Sequence, residues 1–177
     1  KEGTEKLSES IEYLNEIITI QQKTNIEKTK IQLKSEIEKT RMALSLAIKD
    51  SQITITHTIP ENLIVNAIPA YLDSILLNLF TNAIKYKSPE RKATLEIGYK
   101  IIDDYTVINF RDNGLGLDLK KNKHKLFGMY KTFHGNEDAK GIGLFITKNQ
   151  LEAMDGKIEV ESEVGHGSNF KIYLNEK

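Results

Sequence analysis

Hydrophobic and polar positions change their period several times along this chain. In Thr4–Gln22, Leu7, Ile11, Leu14 and Ile18 recur at spacings of four, three and four, which is one stripe of a helix. Tyr13 and Ile17 widen the stripe, and it stops at Gln21, Gln22 and Lys23. A one-sided helix of this length is marginal alone and wants a partner helix. Lys34–Lys49 reads as a second helix through Ile37, Met42, Leu44, Leu46 and Ile48. Glu36 and Glu38 lie near its start, where the helix dipole favours acids. Ile31-Gln32-Leu33 before it fits a short strand. Ile53 and Ile55 then alternate with Thr54 and Thr56 as far as Pro60, which predicts a strand. Leu63–Ala67 predicts another, closed by Pro69.

Ala70–Tyr86 returns to helical spacing, with Leu72, Ile75, Leu76, Leu79, Phe80 and Ala83 on one face and Ser88-Pro89 as its stop. Ala93–Ile102 and Tyr105–Phe110 are β-rich runs around Asp103-Asp104, a hairpin signal. Asp112–Lys140 is long, polar and punctuated by glycine, and a loop of such length in a compact domain is either functional or disordered. Ile142–Met154 predicts a helix ended by Asp155-Gly156. Lys157–Glu163 and Ser168–Leu174 predict a closing hairpin around Gly165-His166-Gly167. Strands arrive in pairs with helices between the pairs, so the expected class is α+β, a two-layer sandwich.

Composition narrows the function. The 177 residues suit one domain with a short appendage. At 39% hydrophobic and 28% charged, the chain is of ordinary globular composition. Lys+Arg and Asp+Glu are both 25. Zero net charge removes the bulk electrostatic case for nucleic acid. The absence of Cys excludes disulfides, thiolate metal sites and a cysteine nucleophile. No apolar run approaches the roughly 20 residues of a membrane helix, so no membrane contact is expected. The chain begins with Lys1 rather than Met, and it is expected to be a piece of a longer protein.

Three clusters carry candidate chemistry. Asn78, Asn82, Lys85 and Tyr86 fall at i, i+4, i+7 and i+8 of one predicted helix and share a face. Asn disfavours helix interiors, so two of them one turn apart need an explanation, and polar helix surface is one. Amide oxygens facing a hard cation, with a Lys and a phenol nearby for phosphate, supply another. Asp112-Asn113-Gly114-Leu115-Gly116 directly follows a predicted strand; by itself it reads as a turn. Lys140-Gly141-Ile142-Gly143-Leu144 opens the last predicted helix, where glycines let backbone N–H groups approach an anion. It is not a P-loop, since no Gly-Lys-Ser/Thr follows the glycines.

In this order and spacing the clusters resemble the ATP-binding domain of two-component sensor histidine kinases, members of the Bergerat (gyrase/Hsp90/histidine kinase, or GHKL) superfamily. The resemblance runs from about Asn25 to Glu176. Asn78 to Tyr86 matches the Asn-box, Asp112 to Gly116 the first glycine box, and Gly141 to Leu144 the second. Leu126-Phe127 and Thr132-Phe133 resemble the phenylalanine-box of the lid. The resemblance implies a Bergerat fold with a mixed, mostly antiparallel sheet and an N-terminal helix. It implies ATP and Mg²⁺ as ligands. Residues 1–24 are then a remnant of the dimerisation and phosphoacceptor domain, its second helix, and residues 25–177 the ATP-binding catalytic domain.

The resemblance also implies roles. Asp112 would accept the adenine amino group. Asn82 would bind Mg²⁺, with Asn78 helping to position metal water or phosphate. Lys85 and Tyr86 would contact the triphosphate, Gly114 and Gly116 would let the chain pass close to the nucleotide, and Gly141, Gly143 and Leu144 would present the helix start to phosphate. Lys131, His134 and Lys140 are candidate phosphate-side cations in a lid spanning Leu115–Ala139, anchored by Phe127, Tyr130 and Phe133. Ala139 departs from the second glycine box, which often carries glycine there.

ATP-hydrolysing relatives carry Glu where this chain has Asn78. An amide cannot take a proton from water at neutral pH, so the site suits γ-phosphoryl transfer to a histidine. His57, His124, His134 and His166 are the only histidines, and none lies on an N-terminal helix followed by an acid and a proline. The phosphoacceptor is therefore expected on a domain largely absent from this chain. Expected partners are that domain, a response regulator and, in the full-length protein, a second copy; the expected location is cytoplasmic. The alternatives are an inactive nucleotide-binding scaffold, a serine/threonine-directed kinase of the superfamily, or a gyrase-like ATPase.

Overall fold

The computed structural model describes residues 27–122, 126–128 and 142–177. The Thr4–Gln22 stripe and the proposed boundary at residue 24 lie outside them. The described elements are β1 (Thr29–Gln32), α1 (Leu33–Ala43), α2 (Ser45–Ser51), β2 (Thr54–His57), β3 (Ile64–Ala67), α3 (Pro69–Lys85), β4 (Thr94–Ile102), β5 (Tyr105–Asp112), α4 (Leu119–Asn122), α5 (Gly143–Glu152), β6 (Lys157–Glu163) and β7 (Gly167–Asn175).

The single helix expected over Lys34–Lys49 is two helices that meet at Leu44, whose φ of −96° and ψ of 11° interrupt the ladder. There is no proline or glycine to foretell the break. Thr40 donates its hydroxyl to the Glu36 carbonyl at 2.9 Å, a contact that bends helices. Leu33 and Ile37 of α1 are fully buried, whereas α2 buries no residue completely. α3 is the central helix. Pro69 occupies its first turn, where a missing N–H costs nothing. Its apolar stripe of Leu72, Ile75, Leu76, Leu79 and Phe80 is at most 2% exposed.

The main sheet has the order β2-β4-β5-β7-β6. Only the β2–β4 pair is parallel; β4–β5, β5–β7 and β6–β7 are antiparallel. A separate two-stranded sheet pairs β1 with β3. The inward residues Leu95, Ile97, Ile108, Phe110 and Ile172 pack against α3, with Phe80 and Phe110 meeting edge to face at a centroid distance of 6.4 Å. The expected two-layer α+β class is what the structure has. The register Leu95↔Asp112↔Ser168 sets the end of the sheet at which α3 finishes, and the candidate chemistry gathers there.

Candidate nucleotide-binding site

Asp112 is the last residue of β5. Its Oδ1 accepts the backbone N–H of Gly114 at 2.8 Å and of Ser168 at 3.3 Å. Burial pushes its carboxyl above the usual carboxylate range, against those backbone N–H groups, which pull it down. Both of these bonds fall on Oδ1, and among the described residues no other residue donates to Oδ2. Such a carboxylate reads an exocyclic amino group and rejects a carbonyl in the same place.

The loop after Asp112 is clamped from three sides. Leu115 donates its N–H to the Tyr86 carbonyl at 2.9 Å and accepts the Gly165 N–H at 2.8 Å, while Leu117 donates to Ser162 Oγ at 2.8 Å. Arg91 adds a bond to the Gly165 carbonyl at 2.6 Å. Two glycines admit no side chain. A Cβ on Gly114 would lie 2.4 Å from the Tyr86 carbonyl oxygen, and one on Gly116, at φ +69°, only 1.9 Å from that of Glu163. These positions hold the turn against its scaffold, so their first role here is close packing of backbone on backbone. Asn113 is structural as well: its amide accepts from Thr94 N–H and donates to the Lys92 carbonyl, both at 2.9 Å.

The two asparagines of α3 differ. Asn78 donates Nδ2–H to Thr147 Oγ1 of α5 at 2.8 Å. Asn82 is half-buried, and its amide makes no hydrogen bond among the described residues. Lys85 closes α3, and Tyr86 caps it with its N–H on the Asn82 carbonyl; burial pushes the Tyr86 phenol up. Gly143 begins α5, and a Cβ there would lie 2.2 Å from Asn78 Oδ1. The first helical bond of α5 runs from Ile146 N–H to the Ile142 carbonyl, so the N–H groups before it have no acceptor within the helix.

The structure thus brings Asn78 and Gly143 into contact, and Tyr86, Gly114 and Asp112 into contact, at one end of the sheet. Gly141, Lys131, Lys140, His134, Tyr130, Phe133 and Ala139 lie outside the described residues. Within the lid region, Leu126 is 2% exposed and Phe127 half-buried. Sequence reasoning did not single out Thr147, Ser162, Ser168 or Gly167. Gly167, at φ +103°, would place a Cβ 2.1 Å from the Asp112 carbonyl oxygen.

No cluster of three or more His, Asp or Glu side chains that could hold a metal occurs among the described residues. An unbonded amide oxygen on Asn82 nevertheless suits a hard cation whose other ligands are phosphate and water. No helix among the described residues is long and apolar enough to cross a membrane.

Among the described residues, a buried acceptor, an amide without a partner and an open helix start gather at one end of the sheet, and the sequence comparisons give the family. Residues 67–177 match the family described as histidine kinase-, DNA gyrase B-, and HSP90-like ATPase, and the chain belongs to it. Curated relatives include sensor kinases. The chain is 34% identical over 93 residues to the methanogenesis regulatory histidine kinase FilI of Methanothrix harundinacea, covering 52% of this chain and 10% of that protein. It is 33% identical over 117 residues to the sensor protein RprX of Bacteroides fragilis, covering 64% of this chain and 22% of that protein. The matched segments are thus a minor part of each relative's length. Among solved structures, the histidine kinase AdeS of Acinetobacter baumannii superposes with a TM-score of 0.79 at 19% identity, over 98% of this chain and 80% of that one. A nucleotide-free catalytic domain of histidine kinase ThkA superposes with a TM-score of 0.71 at 22% identity, over 85% of this chain and 96% of that one. These structures share the fold.

Proposed function

We propose that this chain is the catalytic module of a two-component sensor histidine kinase. It binds Mg-ATP and donates the γ-phosphoryl group to a histidine on a dimerisation domain. The observation that carries the reading is Asp112, a buried carboxylate whose Oδ1 is held by the backbone N–H groups of Gly114 and Ser168 and whose Oδ2, which takes no bond from another described residue, is assigned to the adenine amino group.

The roles follow from position. Asp112 holds the base, and the turn at Gly114 and Gly116 keeps that acceptor in place. The N-terminus of α5, with Gly143 and Leu144, faces its unpaired N–H groups to phosphate oxygens. Asn82, with Asn78 beside it, would hold Mg²⁺, which neutralises phosphate charge when bound. Lys85 and Tyr86 contribute polar contacts at the end of α3. Gly141, Lys131 and Lys140 are assigned to the phosphate side on the family resemblance alone. Hydrolysis is disfavoured because α3 offers no general base: its single acid, Asp73, pairs with Lys39 at 3.0 Å, and Asn78 is an amide. The acceptor histidine must bring its own base.

His57 lies on β2, bonded to Glu38 at 3.0 Å, and His166 sits in the β6–β7 turn. Neither is on a helix. The proposed partners are the phosphoacceptor domain of the parent kinase, a response regulator, and a second copy of the full-length protein. A cytoplasmic location accords with ATP as substrate.

The test mixes this chain with γ-labelled ATP, with and without the parent's phosphoacceptor domain. Acid-labile phosphohistidine on the added domain, with the chain alone unlabelled and hydrolysing ATP only slowly, is the expected result. Stable labelling of His57, His124, His134 or His166 in the chain alone would overturn the assignment of the acceptor to another domain. No transfer despite tight ATP binding would favour an inactive nucleotide-binding module.

A further inference from the structure

Thr147 is 1% exposed and lies in the middle of α5, a place where valine would fill the same space without a buried hydroxyl. A buried hydroxyl is costly unless it is hydrogen-bonded. Its partner is the Asn78 amide of α3, 69 positions earlier in the chain, at 2.8 Å. The other side of that amide is fixed too, since Asn78 Oδ1 lies where a Gly143 side chain would begin, 2.2 Å from the ideal Cβ. Asn78 is therefore wedged between two points of α5 one turn apart.

The orientation has an electrostatic consequence. An Asn amide can turn end for end about its last torsion and exchange oxygen for NH₂. With Nδ2 committed to Thr147, Oδ1 faces the start of α5, the positive end of the helix. Released, the amide can turn its NH₂ to that side, where it would repel a cation. Asn82, one turn further along α3, has no such constraint among the described residues.

We propose that Thr147 is a positioning residue of the nucleotide site. By accepting the Asn78 Nδ2–H it holds the amide with its oxygen on the metal side. This rests on the nucleotide-binding reading above. Thr147 itself touches neither metal nor phosphate.

The experiment measures binding of a non-hydrolysable ATP analogue by calorimetry, with and without Mg²⁺, to the wild-type chain and to Thr147→Val and Thr147→Ser. Thr147→Val deletes the acceptor and keeps the volume. It should weaken the Mg²⁺-loaded analogue by about threefold to tenfold, the worth of one net hydrogen bond. Metal-free analogue should bind as to wild type, and Thr147→Ser should restore the Mg²⁺ effect. Melting followed by circular dichroism checks that each variant is folded; if the valine variant does not fold, Thr147→Ala is read in the same way. Equal losses with and without Mg²⁺, or no loss at all, would overturn the inference, since packing alone would then account for Thr147. A wild-type chain that binds no nucleotide would instead refute the nucleotide site itself, and the two failures are told apart by that control.

Discussion

The two ends of the proposed nucleotide site are built on opposite plans. At the base end, Asp112 is bonded by Gly114 and Ser168, and the turn after it is tied to Tyr86, Ser162 and Gly165. Glycines there pack so closely that a methyl group would overlap backbone atoms. At the phosphate end, the described groups are open: the Asn82 amide lacks a partner among the described residues, and the first N–H groups of α5 lack helical acceptors. One end is completed by the protein, the other by the ligand. Base selectivity is then preorganised and needs no rearrangement on binding, whereas phosphate and metal supply the missing partners of α3 and α5. Substitutions at the first end should damage fold or selectivity, and those at the second should damage binding alone.

The strongest way to break this contrast is Gly167→Ala. Gly167 has φ +103°, and its Cβ would lie 2.1 Å from the Asp112 carbonyl oxygen. Strained backbone and overlap together should cost about 2–4 kcal/mol of stability. Thermal or denaturant melting of the free chain reads this directly. By contrast Gly165→Ala, where nothing lies within 4 Å of the added carbon, should cost only the strain of its φ of +82°. Equal losses at the two glycines would mean that the turn is not held by its contact with Asp112.

Next in size is Asp112→Asn. The Asn Oδ1 can keep the bonds from Gly114 and Ser168, while an NH₂ replaces the free oxygen and opposes the adenine amino group. ATP affinity should fall by about 1–3 kcal/mol, the usual penalty for a mismatched buried polar group, with the fold intact. Calorimetric titration with ATP is the measurement. Unchanged affinity would remove Asp112 from the base-reading role.

Much of this architecture was legible in the order of residues. The period of α3 was visible because its stripe of Leu72, Ile75, Leu76, Leu79 and Phe80 is uninterrupted, and the β4–β5 hairpin because two β-rich runs flank Asp103-Asp104. The break at Leu44 was not legible, since a bend made without proline or glycine depends on how α1 and α2 meet the core. The Asn-box drew notice as two asparagines one turn apart in a helix, whereas Asp112–Gly116 by itself reads as a turn and was singled out only by the order and spacing it shares with the family. Thr147 and Ser168 were missed for a different reason. Their partners, Asn78 and Asp112, lie 69 and 56 positions away. A threonine in a helix and a serine in a strand carry no local mark of such pairing. Local pattern reveals which residues are out of place, and the fold alone reveals which distant residue accounts for them.

At the phosphate end, Asn82→Ala should leave melting nearly unchanged, because the amide bonds nothing among the described residues and alanine suits a helix. Its effect should appear as weaker binding of Mg-ATP, with metal-free ATP little affected. Titrations with and without Mg²⁺ separate the two. Equal losses under both conditions would mean that Asn82 shapes the site without serving the metal, and the contrast between the two ends would lose its chemical basis.

The smallest expected effect sharpens the base end through pH. Burial raises the Asp112 carboxyl above its ordinary value of 3.8 in the folded chain. A raised pKa means that the folded state binds this proton more readily than the unfolded one. The associated stability is present below about pH 4 and is lost as pH rises through the folded value. At neutral pH the ionised carboxylate is therefore held at a cost to the free fold, which the proposed bond to adenine would offset. Asp112→Asn removes the cost, so the free variant should melt above the wild type at pH 7. That advantage should shrink as pH falls through the folded value toward 3.8. Using the difference between the two chains cancels the opposing titration of Glu159 and Glu161, whose carboxyls Lys157 and Lys171 hold down in both. ATP affinity of the wild type should weaken over the same range, because the protonated carboxyl loses its charge-assisted bond to the amino group. A melting difference that stays constant between pH 7 and pH 4 would show that Asp112 carries no strain to be relieved by the base, and the preorganised end would then rest on backbone packing alone.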